Sequence, residues 1–130
     1  MKNIAKDTKS ILVVEDDYSL MNVLRKKLIS VGFNVFEAAN GEEGLDAVSK
    51  HRPDLILLDI IMPKMDGLTM LKKLREDEWG KKAKVILLTN LSDEEKVLKE
   101  NDLGSFDYLV KSDWSLEDIV RKIRKKLNIK

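Results

Sequence analysis

Short, unbroken apolar runs alternate along this chain with stretches of helical periodicity. Ile11-Leu12-Val13-Val14, Leu55-Ile56-Leu57-Leu58 and Val85-Ile86-Leu87-Leu88 carry no polar position on either face, as expected of strands covered on both sides. Residues 34–38 and 106–110 give a second and a fifth short strand. Between the runs, Leu20, Leu24, Leu28 and Val31 recur at helical spacing, with Gly32 placed to cap the end. Asn40 with Glu43 opens a second helix whose core side is Leu45 and Val48, and Leu68, Leu71 and Leu74 mark a third, starting just beyond Pro63 and Gly67. Ser92 with Glu95 opens a fourth that Gly104 can close. Ser115 caps a fifth that carries Leu116, Ile119, Val120, Ile123 and Leu127.

Five strands alternating with five helices over short connections imply right-handed crossovers, hence a doubly wound α/β domain with a parallel sheet between helices. Ligands of such sheets bind beyond the carboxyl ends of the strands, so chemistry should be sought there. Strand one ends in Glu15-Asp16-Asp17, strand three in Asp59, strand four in Thr89 and strand five in Lys111. If strands one and three are neighbours, as in the flavodoxin-like order 2-1-3-4-5, then Glu15, Asp16 and Asp59 converge. Three close carboxylates repel one another unless a cation intervenes. Lys111 supplies one positive charge; the excess negative charge suits a hard, oxygen-seeking divalent ion, and Mg2+ fits better than zinc where no His or Cys stands near. Any one of these acids taken alone is equally well a solvated strand-end residue; the set on one rim is not.

Composition narrows the setting. The chain has 130 residues, 43% hydrophobic and 36% charged, enough for one domain with a real core. Residues 1–9 are polar and read as a loose arm, leaving 10–130 as the domain. A formal net charge of +1 draws the protein neither to nucleic acid nor to anionic membranes. The absence of cysteine excludes disulfides, thiolate nucleophiles and Cys-ligated metal, and with no apolar leader or membrane-length run the expected location is the cytoplasm. His51, the one histidine, closes the second helix, where a solvated role is expected. Arg121, Lys122, Arg124, Lys125 and Lys126 complement the dipole of the last helix rather than forming a nucleic-acid surface. Trp79 and Trp114 lie in loops, as partner anchors or as partly packed side chains.

Leu12-Val13-Val14-Glu15-Asp16-Asp17, Leu57-Leu58-Asp59-Ile60-Ile61-Met62-Pro63-Lys64-Met65-Asp66-Gly67, Leu87-Leu88-Thr89 and Tyr108-Leu109-Val110-Lys111, in that order and at these intervals, resemble a bacterial response-regulator receiver domain, from Ser10 to about Leu127. The resemblance implies that Asp59 is the phosphoacceptor, taking a phosphoryl group from a partner histidine kinase or histidine phosphotransfer protein. It implies that Glu15, Asp16, Asp59 and the backbone carbonyl of Ile61 hold Mg2+, and that Lys111 and Thr89 contact phosphoryl oxygens. It makes Thr89 and Tyr108 a switch that remodels the face formed by helix four, strand five and helix five for a downstream protein target. Such a protein is a phosphoacceptor signalling domain that assists its own phosphoryl transfer, not an enzyme in the ordinary sense.

Two departures stand out. Ser112 follows Lys111 where the family usually has proline, often in a cis bond; a cis bond before another residue costs about 2.5–4 kcal/mol, so a trans Lys111-Ser112 bond is expected. Asn90 replaces a small residue beside Thr89, and Ile61 and Leu91 add apolar bulk to the rim. Other readings are an excised receiver of a larger DNA-binding or enzymatic regulator and an aspartate-nucleophile phosphatase of similar topology. The phosphatase normally wants a second acid two residues beyond its nucleophile, and position 61 is Ile.

Overall fold

The computed structural model describes residues 8–89, 107–110 and 115–129. The predicted fourth helix, together with Asn90, Leu91, Lys111, Ser112 and Trp114, lies outside the described residues. Five parallel strands, β1 (Ser10–Val14), β2 (Asn34–Ala38), β3 (Leu55–Asp59), β4 (Val85–Thr89) and β5 (Asp107–Val110), form one sheet in the order β2-β1-β3-β4-β5. This is the doubly wound, flavodoxin-like order under which the strand-end acids were expected to converge. Helices α1 (Tyr18–Ser30), α2 (Gly41–His51), α3 (Gly67–Arg75) and the closing helix (Leu116–Lys126) return the chain.

Alternation along each strand divides the core into two layers. Leu12, Val14, Ile56, Leu58, Val85 and Leu87 face one way and meet Val48, Met70, Leu71 and Leu74 from α2 and α3. Ile11, Val13, Leu55, Leu57, Ile86 and Leu88 face the other way and meet Leu24 and Leu28 of α1 and Ile119, Val120 and Ile123 of the closing helix. β1, β3 and β4 read as unbroken apolar runs because both of their faces are inside.

The caps explain where the helices begin and end. Gly32 has φ +104°, and the Gly32 and Phe33 amides donate to Ile29 and Leu28 carbonyls, closing α1 as expected. Ser115 and Asp118 form a reciprocal capping box on the closing helix. At α2 the Asn40 side chain accepts from the Glu43 amide, but Glu43 Oε1 reaches the Ala39 amide at 2.9 Å, one residue before the cap. Helix α3 starts at Gly67 itself, one residue earlier than expected, because the Asp66 carboxylate accepts from the Thr69 amide at 2.8 Å and serves as its cap.

The segment between α3 and β4 folds as a 3-10 turn, Gly80–Lys82, fastened by Arg75. Its guanidinium donates to the carbonyls of Gly80 at 2.7 Å and Ala83 at 2.8 Å. Arg75→Ala is expected to lower stability by about 2 kcal/mol in chemical denaturation, with Arg75→Lys recovering only part because an ammonium lacks the fork. A neutral Arg75→Ala would remove this role. Trp79, in the same segment, packs half-buried against the α2–α3 core layer, with Arg52 5.8 Å from its ring centroid. His51 is exposed but not simply solvated: its ring stacks on Phe36 at 3.9 Å.

Candidate functional site

Parallel register carries three carboxylates to one rim. Val14 pairs with Leu58 and Asp59 with Leu88, so the residue after β1 stands beside the last residue of β3. The Glu15 amide donates to the Ala38 carbonyl at 3.0 Å, and the Glu15 carboxylate accepts from the Asp17 amide at 3.0 Å, which fixes its direction. One carboxylate oxygen from each of Glu15, Asp16 and Asp59 lies within 4.8 Å of the others. Glu15 is 2% and Asp59 4% exposed, whereas Asp16 opens to solvent.

Asp17, the third acid of that run, turns aside: its carboxylate caps α1 by accepting from the Leu20 amide at 3.1 Å. Beyond Asp59 the loop is held on both sides. The Gly67 amide donates to the Ile60 carbonyl at 2.7 Å, and the Gly41 amide to the Met65 carbonyl at 2.9 Å. Ile61, two residues past Asp59, exposes 58% of its surface. Thr89 ends β4 and its backbone pairs with Val110. Tyr108 is half-buried against the α2–α3 core layer, in register with Leu87.

Two ionised carboxylates at this separation repel by about 3 kcal/mol at an effective dielectric of 20. An all-oxygen donor set, two members buried and one facing solvent, fits a hard divalent cation that retains several waters. A further exposed side chain adjoins the cluster. Tyr18, 81% exposed, lines a cavity of about 250 Å3 with Glu15, Asp16 and Glu43. Helical periodicity did not single out Tyr18; the available signal was an aromatic ring directly after three acids.

Residues 11–124 match the response regulator receiver domain family. Among curated proteins, the chain is 34% identical over 122 residues to a probable transcriptional regulator of Porphyridium aerugineum, covering 92% of this chain and 50% of that one. It is 32% identical over 122 residues to sporulation initiation phosphotransferase F of Bacillus subtilis, covering 94% of this chain and 96% of that one. The chain spans about half the length of the curated relatives it matches first. A solved receiver domain of a Pseudomonas aeruginosa sensor histidine kinase, described with a magnesium ion coordinated in its active site cleft, superposes with TM-score 0.82 at 28% identity, covering 93% of this chain and 98% of that one. A CheY-like receiver domain protein from Methanospirillum hungatei gives TM-score 0.83 at 30% identity, over 94% of this chain and 95% of that one.

Proposed function

Because the chain belongs to the response regulator receiver domain family of two-component signalling, we propose that Asp59 accepts a phosphoryl group from a phosphohistidine on a partner kinase or phosphotransfer protein. The observation that carries this reading is the convergence of buried Glu15 and Asp59 with exposed Asp16 at the carboxyl ends of β1 and β3. The proposed domain spans 10–130 after an arm over 1–9, within which the family match over 11–124 falls. No helix among the described residues is long and apolar enough to cross a membrane; a cytoplasmic location is part of the proposal.

In the transfer step, an Asp59 carboxylate oxygen forms a bond to phosphorus as the phosphorus–nitrogen bond of the donor breaks and its electron pair returns to the imidazole. Asp16, Glu15, Asp59 and the Ile61 carbonyl would hold Mg2+, with Asp16 a direct ligand and Glu15 acting through water. Bound there, the ion would offset charge on the equatorial phosphoryl oxygens, most of what such a site must supply. Lys111 pairs with one phosphoryl oxygen and Thr89 donates a hydrogen bond to another. Drawing Thr89 inward opens space for the Tyr108 ring, a two-state element biased by one anion, and the remodelled face docks a downstream protein.

Incubation with a small phosphodonor and Mg2+, followed by intact mass, should add one phosphoryl group to the wild type and none to Asp59→Asn. An unmodified wild type, or an equally modified variant, contradicts the proposal. Ile61, and with it Leu91, should restrict attacking water at the rim. Ile61→Ala with Leu91→Ala is expected to speed loss of the phosphoryl group on the order of tenfold, and an unchanged decay rate refutes that role.

A second reading, the receiver portion of a larger DNA-binding or enzymatic regulator, is favoured by one observation: several relatives are about twice as long as this chain. Another relative, the Bacillus subtilis phosphotransferase, is matched over 96% of its own length. An aspartate-nucleophile phosphatase is disfavoured by the apolar Ile61.

A further inference from the structure

A groove of about 530 Å3 lies between the C-terminal part of α1 and the closing helix. It is distinct from the acid cluster: α1 begins at Tyr18 beside Asp16 and runs back along the sheet, so Lys27 and Val31 lie towards the opposite edge. The floor is apolar, made by Val31, Val120 and Ile129. The rim is basic, with Arg121, Arg124 and Lys125 following one another along the closing helix.

Among the described residues a single carboxylate lines the groove, and it is already engaged. Lys27 Nζ donates to Glu117 Oε2 at 3.0 Å, and this hydrogen bond holds the Glu117 carboxyl below its usual range. Arg121 pairs with Asp118 one turn back. Arg124 and Lys125 have no ion pair among the described residues. An apolar trough beside two uncommitted cations is complementary to a segment that presents apolar and acidic residues together.

We propose that this groove docks an acidic amphipathic segment of a partner protein, its apolar side chains seated on Val31, Val120 and Ile129 and its carboxylates paired with Arg124 and Lys125. A second copy of this chain is a poor occupant, since an isologous contact would set these cations against each other. A single-stranded nucleic acid is also poorly served, because among the described residues the groove has no aromatic ring for bases to stack on. The surface is separate from the phosphoryl site, so docking here should not require phosphorylation.

The test uses the whole chain and a fluorescein-labelled synthetic peptide with leucines on one helical face flanked by glutamates. Controls are a scrambled peptide of the same composition and a single-stranded oligonucleotide of equal charge. The amphipathic peptide should bind and shift the methyl resonances of Val31, Val120 and Ile129. The Arg124→Glu, Lys125→Glu double variant should bind about tenfold or more weakly while still unfolding cooperatively and keeping phosphoryl acceptance at Asp59. Absence of binding, equal affinity for the scrambled peptide, stronger binding of the oligonucleotide at the same methyls, or undiminished affinity in the double variant each overturns the proposal.

Discussion

Gly67→Val is expected to destabilise the domain by about 3 kcal/mol or more and to disorganise the acid cluster with it. A Cβ at this position would lie 2.1 Å from the Asp59 carbonyl oxygen and 2.8 Å from Ile60 Cα, both rigid backbone atoms that no rotamer change can move aside. The same residue donates its amide to the Ile60 carbonyl at 2.7 Å, so the first turn of α3 presses directly on the exit of β3. Relief requires either backing α3 away, which opens its Met70-Leu71-Leu74 face, or displacing the backbone that carries Asp59. Gly32→Ala makes the control: a Cβ there meets nothing within 4 Å, so the cost is confined to the positive φ, about 1 kcal/mol. Equilibrium denaturation of the two variants should separate them clearly. Equal, small losses would show that the close approach at Gly67 is not what positions Asp59.

The second large effect is on metal-linked stability. A ligand that binds only the folded state stabilises it by mass action, so Mg2+ at ten times its dissociation constant should add about 1.4 kcal/mol. For a chain of this length that corresponds to a rise of about 4 °C in melting temperature. Asp16→Asn should abolish the rise, because it removes the solvent-facing member of a cluster whose oxygens lie within 4.8 Å. In metal-free buffer Asp59→Asn should raise the melting temperature, because it removes one of three mutually repelling charges. Chelation should stop phosphoryl acceptance by the wild type. A wild-type melting temperature indifferent to Mg2+, or an Asp16→Asn variant that still responds, would contradict the ligand assignment.

What the chain discloses before folding follows physical lines. β1, β3 and β4 are legible because burial on both faces forces unbroken apolar runs, and their register then delivers Glu15 and Asp59 to one rim without further information. Strand order is different: periodicity says which residues are inside, not which strands touch, and the order 2-1-3-4-5 entered only as the arrangement under which the acids would converge. Asp17 and Asp66 were harder to place because a carboxylate that caps a helix and one that faces a metal have the same local sequence. Both prove to be caps. The Arg75 clasp and the His51–Phe36 stack left no pattern at all, since one uses backbone carbonyls and the other joins residues fifteen positions apart through tertiary packing. The groove beside the closing helix was visible only as a run of cations; its apolar floor comes partly from α1.

The central claim is that Asp59, among the three clustered carboxylates, is the residue that carries the phosphoryl group. Borohydride reduces an acyl phosphate to an alcohol, so treatment of the phosphodonor-reacted protein, followed by peptide mapping, reads the site directly. Homoserine at position 59, with Asp16 and Glu15 intact, is the predicted result. Reduction at Asp16 or Glu15, or a stable phosphate on a hydroxyl side chain elsewhere, would contradict it.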